Sequence, residues 1–216
     1  MAWSGGKDSV MALYRVLAKG IHEVGGLLST FTRDYDRVTM HGVRRSLIRL
    51  QAKCLGYPLY EVFIPAKCNM EIYDRIMTKA MIKLKSRGVR GVVFGDIFLE
   101  DVRRYREKNL SKIGIKSIFP LWGEDTKKLL EEFIELGFKA VVVCVNSKVL
   151  GSEFVGRQLN REFLENLPNG VDPCGEHGEY HTFVYDGPIF AHKVGFKIGE
   201  IVFRDGFYYV DLIPTQ

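Results

Sequence analysis

The chain has 216 residues, 46% hydrophobic and 26% charged, which is the balance of a soluble globular protein with one domain or one domain and a smaller companion. Its 31 basic and 26 acidic side chains leave a net charge of +5, which suits a polyanionic ligand but is too small to claim nucleic-acid binding. No apolar run approaches the ~18–20 residues that cross a bilayer, no signal peptide is legible, and Cys54, Cys68, Cys144 and Cys174 show no C-x-x-C spacing, so a cytoplasmic protein with free thiols and no membrane partner is expected.

Along the chain, Ser4-Gly5-Gly6-Lys7-Asp8-Ser9 lies between an apparent strand end at 1–3 and a helix whose inner face carries Val10, Leu13, Tyr14 and Leu17. With three residues ahead of the loop, the chain is expected to start inside its own first strand, and upstream residues are expected to add stability. Residues 24–31 form a short apolar run, readable as a strand, with Thr30 near its end. The loop Thr39-Met40-His41-Gly42-Val43-Arg44 leads to a helix at 44–55, which stops before Gly56-Tyr57-Pro58, and a strand follows at 59–64. Met70, Tyr73, Met77, Ala80, Met81 and Leu84 recur at helical spacing and predict a helix with this stripe as its core face.

Residues 91–95 and 140–145 read as buried strands, with a helix at 125–136 between them that turns Leu129, Leu130, Phe133 and Ile134 inward. Strands alternating with helices predict an α/β domain over residues 1–148, a mainly parallel sheet with helices on both faces. From 151 to 188 the chain is rich in Gly, Pro, Asn and Asp. Runs at 194–203 and 207–213 then flank Arg204-Asp205-Gly206, a hairpin signal, so residues 149–216 are expected to form a smaller, partly β domain.

Two segments carry chemistry. In the first, glycines let backbone N–H groups approach an anion, the following helix N-terminus favours negative charge, Ser4 and Ser9 offer hydroxyls, and Lys7 a point charge. Asp8 at the helix start can help hold Mg²⁺. The lysine directly follows the glycine pair, so this is not the G-x-x-x-x-G-K-[ST] loop. In the second, V-D-P-C-G-E-H-G-E-Y-H-T places Glu176, Glu179, His177, His181 and Cys174 close together, suited to acid–base work. Cys174, His177 and His181 also give C-x-x-H-x-x-x-H, but zinc wants a fourth ligand or a catalytic water, and no metal site is assigned there. His41, Arg44, Gly95 and Asp96 are expected at the sheet edge where ligands bind, with Asp96 open to Mg²⁺, ribose or a helix N-cap. Arg103-Arg104-Tyr105-Arg106 is either a phosphate-binding cluster or a charged helix face.

The hexapeptide resembles the loop of the PP-loop ATP pyrophosphatases, S-G-G-x-D-S, an adenine nucleotide alpha hydrolase-like fold. With G-E-x-G-E-[FY]-x-T at 175–182, the whole chain resembles the diphthine–ammonia ligase family. That resemblance implies a nucleotide-binding domain followed by an acceptor-site domain, and adenylation of the diphthine carboxylate on elongation factor 2 before ammonia, supplied as ammonium, attacks. Its nucleotide contacts fall on Ser4, Gly5, Gly6, Lys7, Asp8, Ser9, Thr30, His41, Gly95 and Asp96, and its catalytic groups on Lys7, Asp8, Glu176, Glu179 and His181. His181 stands where diphthamide-making members usually carry glutamate, a form similar to the family's bacterial branch, so the acceptor is elongation factor 2 or another carboxylate. Two alternatives stay open: a PP-loop enzyme that adenylates a tRNA base, and an ATP-sensing module without turnover. The terminal hairpin is a candidate surface for a homodimer.

Overall fold

The computed structural model describes residues 1–215. The first half runs α1 (Lys7–Lys19), β1 (Leu27–Thr32), β2 (Arg37–Val38), α2 (Arg45–Leu55), β3 (Leu59–Ile64), α3 (Met70–Lys85), β4 (Gly91–Val93), α4 (Glu100–Ser111) and β5 (Lys116–Ile118). β1 pairs in parallel with β3, from Leu27↔Leu59 to Thr32↔Ile64, and β4 pairs in parallel with β5. Residues 1–3 stitch these pairs together: Trp3 N donates to Leu28 O at 2.8 Å, Leu28 N to Met1 O at 2.8 Å, and Ala2 N to Val93 O at 2.9 Å. The resulting parallel sheet reads β3–β1–(1–3)–β4–β5, so the Ser4–Ser9 loop leaves its centre at the C-terminal edge. β2 folds back antiparallel on the end of β1.

The second half runs α5 (Thr126–Glu135), β6 (Lys139–Asn146), a 3₁₀ turn (Ser152–Phe154), α6 (Arg161–Glu165), β7 (Tyr180–Asp186), β8 (Phe196–Arg204) and β9 (Phe207–Pro214). These strands form an antiparallel sheet in the order β7–β6–β9–β8. The strand at 140–145 therefore belongs to this sheet and not to the parallel one. Its apolar run fits either, because β6 is buried on both faces. The boundary expected at 148 falls between β6 and the strands it pairs with. β7 lies inside the stretch that composition marks as irregular. The β8–β9 turn follows the sequence signal, with Asp205 and Gly206 at φ 53° and 84°, as a two-residue hairpin turn requires.

One apolar core joins the halves, with Trp3, Met11, Leu13, Phe31 and Leu47 meeting Phe133, Val141, Phe183 and Val184. A second core lies under α3 and α4, where Met81 and Leu84 pack with Leu28, Val92, Phe94 and Leu110. The methionine stripe of α3 is only partly core, since Met70 is exposed and Tyr73 and Met77 face a cleft.

Candidate active site

The Ser4–Ser9 loop is braced from behind. Gly5 has φ 81°, and a Cβ there would stand 2.6 Å from Ile48 Cδ1 and 2.8 Å from Gln51 Oε1, so the position needs glycine. The fully buried Gln51 donates from Nε2 to Gly5 O at 2.9 Å and Val184 O at 2.6 Å, and its Oε1 accepts from Trp3 Nε1 at 2.8 Å. Val184 N donates to Gly5 O at 2.9 Å, and Lys7 N donates to Thr182 Oγ1 at 3.1 Å. Helix α2 and strand β7 thus clamp the loop from two sides. Gly95 approaches from a third, where a Cβ would lie 2.8 Å from the Asp8 carbonyl carbon and oxygen.

Lys7 is buried beneath the loop. Its Nζ is 3.0 Å from Asp8 Oδ2, donates to Cys174 O, and sits 5.0 Å from the centre of the Tyr180 ring. Burial is the largest single influence and works against its charge, but Asp8, Tyr180 and Cys174 together outweigh it and raise the pKa, so Lys7 is an ammonium. Burial pushes the Asp8 carboxyl up against the pull of Lys7. Its Oδ1 is buried without a hydrogen-bond partner.

The opposite wall is the turn that precedes β7. The Asp172 carboxylate organises it: Oδ2 accepts from Cys174 N at 3.0 Å and Glu176 N at 3.1 Å, and Oδ1 accepts from Thr126 Oγ1 at 2.7 Å. Asp172 N in turn donates to Glu179 Oε1 at 3.1 Å. The turn carries Glu176 into the cleft, where its Oε2 accepts from Ile97 N at 3.1 Å. Burial, with the nearby Asp8 charge, pushes the Glu176 carboxyl up to about 7. His41 and His181 stack with ring centroids 4.4 Å apart. Burial pulls His41 down to about 4 and His181 well below its ordinary value, so both rings are neutral at pH 7.

These groups enclose a cleft of about 420 Å³ at the C-terminal edge of the sheet. Ser4, Lys7, Asp8, Ser9, Thr30, His41, Gly95, Asp96, Glu176 and His181 line it, whereas Gly5, Gly6 and Glu179 do not. Glu179, expected in acid–base work, is 6% exposed and shapes the turn from behind. Asp96 is neither free nor a helix cap. Its Oδ2 is 2.7 Å from Arg106 Nε and its Oδ1 accepts from Arg106 Nη2 at 3.0 Å, while α4 starts later, at Glu100. Arg44 points away from the cleft to Asp211, at 2.9 Å. Cys174, His177 and His181 do not converge: the thiol donates to Thr126 O, His177 packs on Phe98, and His181 on His41. Among the described residues no three His, Cys, Asp or Glu side chains form a metal-ligand group.

The sequence reading missed Thr182 as a brace, Gln51, Asp172, and the wall of Tyr73, Asp74 and Tyr105 from α3 and α4. Thr182 was visible as the last residue of the second motif. Gln51, a polar residue amid the apolar positions of a helix, was the one signal for the brace.

A family model for the N-terminal domain of diphthamide synthase matches residues 1–117, and one for its C-terminal domain matches residues 125–213. The chain belongs to the diphthamide synthase family. Proteins named diphthine–ammonia ligase are similar along most of its length: 29% identical over 219 residues in Schizosaccharomyces pombe, 28% over 223 in Bos taurus and 29% over 223 in Homo sapiens, each alignment covering 92% of this chain. The chain spans 36% of the length of the fission-yeast relative and 82% of the bovine and human ones. No helix among the described residues is long and apolar enough to cross a membrane.

Proposed function

We propose that the chain is an ATP-dependent ligase that joins ammonia to a carboxylate, releasing AMP and pyrophosphate. The observation that carries this reading is the meeting of the two motifs across one cleft, with the Glu176 carboxyl facing the loop that carries Asp8. In the diphthamide synthase family the acceptor that relatives' names indicate is diphthine, the modified residue of elongation factor 2, and we assign the same acceptor here.

The Ser4–Ser9 loop and the first turn of α1 hold the phosphates of ATP by hydroxyls and helix N–H groups. Lys7, charged and held in place by Asp8 and Cys174 O at the cleft wall, offsets their negative charge. The unpartnered Asp8 Oδ1 would supply a carboxylate ligand to Mg²⁺ held beside the phosphates. Bound there, the ion would neutralise phosphate charge. An acceptor carboxylate oxygen attacks the α-phosphorus and pyrophosphate leaves. Ammonia then attacks the acyl carbon, AMP leaves, and the proton lost from nitrogen passes to Glu176, whose pKa near neutrality fits a general base. The neutral His41–His181 stack lines the same cleft and offers hydrogen bonds to the acceptor without adding positive charge.

Five apolar side chains exposed on the β8–β9 hairpin, Ile198, Ile201, Val202, Phe203 and Ile213, support a homodimer through the free edge of β8. Molar mass in solution, with Ile201→Lys as the breaking variant, tests this. The ligase reading is tested by incubating the protein with ATP, Mg²⁺, ammonium and diphthine-bearing elongation factor 2. Formation of AMP together with the amide supports it, and ATP binding without either product rejects it.

A further inference from the structure

Residues 83–90 and 108–116 carry Lys83, Lys85, Arg87, Arg90, Lys108, Lys112 and Lys116 and not one Asp or Glu. Their charge exceeds the net +5 of the whole chain, so the rest of the molecule sums to a negative value. All seven are exposed, and among the described residues none forms an ion pair. The fold brings the two stretches together, since Lys85 Nζ donates to Ile113 O at 2.7 Å and Lys116 N donates to Arg90 O at 3.0 Å. Both lead into strands of the parallel sheet, β4 and β5, toward its N-terminal edge, and although Asn109, Leu110 and Ile113 reach the cleft, none of the seven basic side chains lines it.

The ends of α3 and α4 favour cations, but this accounts only for Lys83, Lys85 and Lys108; the others cap or follow the helices. Ile82, next to Lys83, is exposed, but no large apolar side chain is exposed within either stretch, so the face lacks the cluster of anchors that centres a protein–protein interface. Clustered cations without apolar anchors are what a phosphate backbone requires. We propose that this edge binds nucleic acid through its backbone, without reading base sequence. The modest net charge conceals the site because acidic residues elsewhere cancel it.

The test is fluorescence anisotropy with a labelled single-stranded RNA oligonucleotide over a range of salt, the nucleotide cleft filled by a non-hydrolysable ATP analogue. With four or more phosphate contacts, log affinity should fall against log salt with a slope of about −3 or steeper. The triple variant Arg87→Glu, Arg90→Glu, Lys116→Glu should bind at least about tenfold more weakly and with a slope shallower by about 2, while AMP formation is unchanged. Absence of binding at low salt, or binding that the triple variant leaves intact, overturns the proposal. So does polyglutamate binding as tightly as RNA, which would assign the face to an acidic protein.

Discussion

The hydroxyl of Thr182 accepts a hydrogen bond from the backbone N–H of Lys7 at 3.1 Å, joining residues 175 positions apart. The Ser4–Ser9 loop of the first half is thereby held by the last residue of the second motif, in β7, and the two motifs become parts of one site.

Thr182→Val keeps the shape and leaves the Lys7 N–H buried without a partner, which costs about 1–3 kcal/mol. We expect a lower midpoint in urea unfolding and a raised KM for ATP, with Thr182→Ser restoring most of both. An unchanged KM for ATP would mean that the brace does not shape the loop.

Gly95→Ala tests the loop from the other side. The added methyl would press on the Asp8 backbone at 2.8 Å, which cannot move aside as a flexible side chain would. ATP affinity measured by calorimetry should fall at least about tenfold, about 1.4 kcal/mol, while circular dichroism shows a folded protein.

The two glutamates of the second motif should separate cleanly. Glu176→Gln removes a base from the cleft, so kcat should fall by two or more orders of magnitude with little effect on ATP binding. Glu179→Ala leaves Asp172 N without its acceptor and should cost about 1–3 kcal/mol in unfolding experiments. Glu179→Gln, which keeps an acceptor oxygen, should be milder.

Acidity follows from the same groups. With Glu176 at about 7, kcat should rise as pH passes through that value and level off above it. Because its folded pKa is raised, the stability it contributes is present below its ordinary 4.5 and lost as pH rises through about 7. His41 has the opposite sign: its folded pKa is depressed, so its contribution is present above 6.5 and lost as pH falls toward about 4. Chemical denaturation across this range should show a shallower acid loss in His41→Phe than in the parent chain.

The α/β character, the glycine loop, α2, α3, α5 and the terminal hairpin were all legible in the sequence, because helical periodicity and Asp-Gly turn chemistry are local signals. The allegiance of β6 was not. A strand buried on both faces looks alike in a parallel or an antiparallel sheet, and only pairing with β7 and β9 decides it. β7 was hidden because turn-forming glycines precede it. At the site, Glu176 and His181 line the cleft and Glu179 does not, a division that residue types alone could not make between two glutamates three positions apart. That division depends on Asp172, whose carboxylate turns the chain so that one glutamate faces the loop and the other faces the protein.

The most direct measurement follows acceptor mass and nucleotide products together, in a mixture of the protein, ATP, Mg²⁺, ammonium and diphthine-bearing elongation factor 2, with Glu176→Gln in parallel. The account predicts a mass loss of about one dalton on the acceptor, as carboxylate becomes amide, with AMP formed in equal amount and both suppressed in the variant. AMP without amide, or an acceptor unchanged while ATP stays bound, would contradict it.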